Sequence, residues 1–119
     1  MADTLYTIAE TDLASRQAAA RFRAVVEARA LASDRVAIDL SAVLSLSESY
    51  ADELFGVLVA RHGLEWFAGH VSVHGAKPAV FRSIANAIRY RLEVAAPGKP
   101  DIALLAARRA LELRQRPSI

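Results

Sequence analysis

The stretch VAIDLSAVLSLSESYADELFGVLVARHG, residues 36–63, decides the fold. Its first part, RVAIDL over 35–40, is a compact run of β-formers. SAVLSLS over 41–47 turns off that run and holds a few more extended residues. From Tyr50 to about His62 the pattern becomes helical. Leu54, Leu58 and Arg61 share one face, with Phe55, Val59 and His62 beside it, and Gly63 supplies the stop. A strand, a polar loop and a helix therefore follow one another.

Serines and carboxylates crowd the mouth of that helix. Backbone N–H groups at a helix start lack intrahelical partners and favour negative charge. The spacing predicts a helix beginning near Ser49 or Tyr50, with Ser49 as N-cap and Asp52 three residues on, in the manner of a capping box. Capping accounts for the polar residues after Ser47. A second reading makes Ser49 a phosphoacceptor. A phosphate there adds about −1.5 to −2 charge and changes what the surface will bind. A catalytic role lacks partners, since no histidine lies near Ser49 in sequence.

Outward from this stretch, LYTIA (5–9) alternates as a short strand. DLASRQAAARFRAVVEARAL (12–31) has helix composition, with Leu13, Ala20, Phe22, Val25 and Val26 as its expected buried stripe. LEWFAGH (64–70) reads as a short helical turn and a loop, and HVSVHG (70–75) as a strand. Pro78 opens PAVFRSIANAIRYRLE (78–93), with Val80, Ile84, Ala87, Ile88 and Tyr90 or Arg91 near helical spacing. APGKP (96–100) is the clear breaker, and Asp101 heads a last helical segment over 101–116. Alternating strands and helices predict an α/β fold, a small sheet of three to four strands packed with helices, plus an appended C-terminal helix. The sheet is expected to be mainly parallel. The N-terminal strand is open to antiparallel pairing, and a further edge strand is considered near Val94.

The chain has 119 residues, 54% hydrophobic and 24% charged, which fits one packed domain. It has no cysteine, so disulfides, thiolate catalysis and cysteine-held metals are out. No run is long enough to span a membrane. The acidic start lacks the basic region of a secretory signal, and the expected location is cytoplasmic. The net charge of +2 hides an asymmetry: residues 1–76 carry a net of −4 and residues 77–119 a net of +6. Charge balance within one fold or between two copies explains this. A nucleic-acid contact by the basic part is the alternative, with Trp66 and Tyr90 the nearby aromatics.

No nucleophile elbow, metalloprotease helix, phosphate loop or dinucleotide fingerprint is present. His70 and His74, four apart on an expected strand, make a poor metal pair without a carboxylate. Neither a cofactor, a metal nor an enzyme activity is expected.

Ile38-Asp39-Leu40 followed by Ser47-Glu48-Ser49-Tyr50-Ala51-Asp52-Glu53 resembles the STAS domain of sulfate transporters and anti-sigma-factor antagonists. The likeness is closer to a bacterial STAS-like family of unknown function. It extends loosely to ASRQAA (14–19) and PAVFRSIANAIRYR, covering about residues 5–93. It implies a STAS-like domain over 1–95; the linker and amphipathic helix expected over 96–119 lie outside the resemblance. The usual antagonist has Asp-Ser-Ser-Gly at this helix mouth. Laid on this chain, Ser47, Glu48, Ser49 and Tyr50 take those places, and only the acceptor, Ser49, matches. The resemblance implies a non-enzymatic regulatory module. It would dock a protein partner, such as a GHKL-type ATPase or kinase or an anti-sigma factor, through Ser47, Glu48, Tyr50, Asp52 and Glu53, with Ser49 as the control point. A homodimer is a further expectation.

Overall fold

A computed structural model describes residues 3–32 and 34–94. The order is β1 (Asp3–Thr7), β2 (Asp12–Leu13), α1 (Arg16–Leu31), β3 (Arg35–Asp39), β4 (Ser45–Leu46) and α2 (Glu48–Ala51). A π-helical turn (Asp52–Gly56) continues α2 directly into α3 (Val57–His62). Then come α4 (Leu64–His70), β5 (Val71–His74) and α5 (Pro78–Val94). The expected C-terminal helix and its linker lie outside the described residues.

The main sheet runs β1-β3-β5, and both of its pairings are parallel. The N-terminal strand is therefore parallel, not antiparallel. The physical reason is α1: a 16-residue helix carries the chain back along the sheet, so β3 starts at the same end as β1. Val94 is helical, so it forms no edge strand.

The expected helix over 12–31 loses its first turn. Asp12 and Leu13 pair instead with Ser45 and Leu46 in a small parallel ladder. Ser15 then caps α1 by accepting from the Ala18 N–H at 3.1 Å. The face of α1 that goes inward is Ala19, Val26 and Ala30, with Phe22 set edge-on to Tyr6. Val25 is 46% exposed and Ala20 half-buried, because with so many alanines the pattern does not single out one face. In α4 all seven residues are helical, where a turn and loop were expected.

Val36, Ile38 and Leu40 extend from the central strand into the core. The helix that follows is buried on two faces, with Leu54, Phe55, Leu58 and Val59 almost fully covered. It sits between α1 on one side and α5 on the other. Gly63 ends it at φ 96°, a conformation that glycine adopts without strain. Val80, Ile84 and Ala87 form the inward face of α5, as their spacing predicts.

Candidate functional site

The helix mouth is set by Ser47, not Ser49. Ser47 is extended, its Oγ accepts from the Tyr50 N–H at 3.0 Å, and its hydroxyl donates to the Ala14 carbonyl at 3.0 Å. The helix thus starts at Glu48, one to two residues earlier than the spacing predicts. The reason is tertiary: the Ser47 N–H bonds the Leu13 carbonyl at 2.9 Å, which holds Ser47 in the small ladder and out of the helix.

This start turns the first residues in different directions. Glu48 and Ser49 face solvent. Tyr50 is buried, and burial pushes its phenol above the ordinary range, with a smaller push from Glu10. Ala51 is fully covered.

One turn later the helix widens. The Val57 N–H reaches back five residues to the Asp52 carbonyl, the signature of a π turn. Asp52 and Glu53 sit at its start and meet three arginines. Arg91 of α5 grips Asp52 with two donors, Nε to Oδ1 at 2.7 Å and Nη2 to Oδ2 at 2.8 Å. Arg16 of α1 donates to Asp52 at 3.1 Å and to Glu53 at 2.9 Å. Arg23 of α1 pairs with the Glu53 carboxylate and also donates to the Glu53 carbonyl at 3.1 Å. Two carboxylates thus clamp α1 and α5 to the centre of the fold.

The Arg91 hydrogen bonds hold the Asp52 carboxyl below its usual range, against the opposing effect of burial. For Glu53, burial pushes upward, but hydrogen bonds from Arg16 and Arg23 outweigh it and the net shift is downward. Gly56 makes room for this clamp. A Cβ there would lie 2.6 Å from Asp52 Oδ1, 3.0 Å from Arg91 Cγ and 3.4 Å from the Ala87 carbonyl.

The exposed mouth borders a cleft of about 270 Å³ between α2 and α5, lined by Glu48, Asp52, Ser83, Asn86, Ala87 and Tyr90. Ser83 and Asn86 are not among the residues the sequence pointed to, nor are Arg16, Arg23 and Arg91 as partners of the motif, and of the two residues offered for the end of the α5 stripe Tyr90 is 60% exposed. The helical spacing of α5 was a usable signal for placing Ser83 and Asn86 away from its buried face. Nothing local pointed to the arginine partners.

The histidines lie elsewhere. His62 stacks on Trp66 at 4.1 Å between ring centroids and Trp66 on His70 at 4.6 Å. His62 also meets Glu27 at 2.6 Å, and Arg61 donates to the same carboxylate at 3.0 Å. His70 ends α4 whereas His74 ends β5, so the two do not share a strand. His74 lies 3.0 Å from the Ser72 hydroxyl. Among the described residues no group of three His, Asp or Glu side chains is placed to hold a metal ion. None of the described helices is long and apolar enough to cross a membrane.

No curated protein and no solved structure matched the chain in comparison searches. A family model did match, over residues 18–81, from the first turns of α1 to the start of α5. That span holds the helix mouth, the π turn and Arg23, while Arg16 and Arg91 lie just outside it. Covering more than half of the sequence, the match places the chain in the family described as the STAS-like domain of unknown function (DUF4325).

Proposed function

We propose that this protein is a regulatory module without chemistry of its own. It docks a protein partner through the mouth of α2 and is switched by modification of Ser49. The observation that carries this reading is the contrast at the helix start. Ser49 is exposed on the first turn, while the helix behind it is clamped by the arginine–carboxylate network. STAS-like domains are often protein-interaction modules, which favours the same reading. A π turn is frequent near functional sites and adds to it.

Glu48 and Ser49 form the contact edge, and the cleft toward Ser83, Asn86 and Tyr90 continues it. Ser47 shapes that edge as the cap, and Tyr50 anchors it from beneath. Asp52 and Glu53 act by holding the helix in place. Their charge is already met by three guanidiniums. A phosphate on Ser49 therefore adds its charge beside a compensated pair and leaves the fold intact. A partner of the GHKL ATPase or anti-sigma type fits the resemblance.

The test is binding of wild-type, Ser49→Ala and Ser49→Asp protein to the partner retained by tagged wild type from the native host. Ser49→Asp is expected to weaken binding at least tenfold, about 1.4 kcal/mol, with Ser49→Ala close to wild type. Equal affinity for all three removes Ser49 from the switch.

A further inference from the structure

An apolar groove of about 470 Å³ runs along the other side of α5, on the open edge of the sheet. Phe67 of α4, Val71 and Val73 of β5, and Phe81, Ile88 and Leu92 of α5 line it, and Arg89 is the one charged residue among the described residues that do. Strand β5 ends the order β1-β3-β5 and pairs on one side only among the described residues. Phe81 is 58% exposed there, a large apolar surface to leave in water. An unpaired strand edge beside an apolar trough is a place that proteins ordinarily cover.

We infer that the chain's own residues 101–113 cover this groove within the same molecule. Three facts commit the occupant. The first is where the described chain stops: Val94, the last described residue of α5, lies two residues after Leu92, at one end of the groove. The second is reach. Residues 95–100 extend up to about 20 Å, and the groove from Phe81 to Leu92 is about 16 Å long at the helical rise. Thirteen residues suffice for that length, since even at helical rise they span about 20 Å.

The third is chemistry. DIALLAARRALEL (101–113) carries Ile102, Leu104, Leu105, Leu111 and Leu113 among four alanines. At helical spacing its charged residues, Asp101, Arg108, Arg109 and Glu112, fall on one arc of about 100°. All of those large apolar residues except Leu105 lie outside that arc. A tether of six residues also sets an effective concentration in the millimolar range. A second copy at micromolar concentration competes poorly with that.

The experiment is hydrogen exchange on the full chain, read by peptide, alongside analytical ultracentrifugation across concentration. The expected result is a monomer whose 101–113 peptides exchange at least about tenfold slower than unstructured chain. In the full-length double variant Leu104→Asp and Leu111→Asp, exchange rises by a similar factor over 81–92 and in β5, while β1 and β3 stay unchanged as a control for folding. Phe81→Asp, made at an already exposed position, is the reciprocal variant and releases protection of 101–113. Exchange of 101–113 at the unstructured rate in wild type overturns the inference. So does protection that grows with concentration together with a dimer mass, which assigns the groove to a second copy.

Discussion

Residues 48–49 and residues 52–56 belong to one continuous helical run, yet they have opposite surroundings. Glu48 and Ser49 face water, whereas Leu54 and Phe55 are fully enclosed, Gly56 is buried, and Asp52 and Glu53 are held by arginines from two other helices. A single turn of helix separates a surface open to change from the hub of the fold. The lesson is that carboxylates near a candidate site can belong to the scaffold. Asp52 and Glu53 look like recognition residues in the sequence, and in the fold they join helices.

The comparison breaks most severely at Phe55. Its ring is completely buried and lies edge-on to Phe67 with centroids 6.2 Å apart. Phe55→Ala should cost about 3–5 kcal/mol, seen as a lower denaturant midpoint. A loss below 1 kcal/mol would mean that the hub is not the centre of stability. Gly56→Ala should come next, at about 1–3 kcal/mol, because the new methyl meets the carboxylate that Arg91 holds in place. A neutral result there would show that the clamp can slide.

The third test is acid. Asp52 and Glu53 both titrate below their ordinary range in the folded state. Their stabilisation is therefore fully present above the unfolded carboxylate range, near 4, and is lost as the pH falls through the lower folded values. Asp52→Asn should cost about 1–2 kcal/mol at neutral pH, allowing for the part-exposed Arg91. It should also flatten the melting temperature against pH below 4. An unchanged pH slope would assign the acid sensitivity to other groups, such as Glu27, which burial pushes upward but hydrogen bonds from His62 and Arg61 bring down on balance.

The smallest effects separate the serines. Ser47→Ala removes the cap and should cost about 1 kcal/mol. Ser49→Ala should change stability by less than about 0.5 kcal/mol, as for an ordinary surface position. Chemical denaturation of the two variants side by side checks this. Equal losses would return Ser49 to a structural role and sharpen the boundary between mouth and hub.

Much of the fold is legible in local pattern. The compact run of β-formers in 35–40, the apolar spacing in 54–59, Gly63 and Pro78 place β3, the central helix, its stop and α5 close to where the structure has them. Those signals are local: side-chain period, backbone freedom and missing donors act within a few residues. The serine-rich mouth is legible for the same reason, though its first residue is not. Ser47 and Ser49 are both competent caps, and only the pairing of β2 with β4 selects Ser47.

By itself, then, the sequence determined the kinds of element, their order and the presence of an exposed hydroxyl where the central helix begins. Tertiary structure alone decided the direction of β1, the π turn, and the partners of Asp52 and Glu53. Arg91 lies 39 residues from Asp52 and Arg16 lies 36. No local propensity encodes such a pair. It exists because packing sets α1 and α5 on either side of one helix, and because a glycine at position 56 leaves space for them to close.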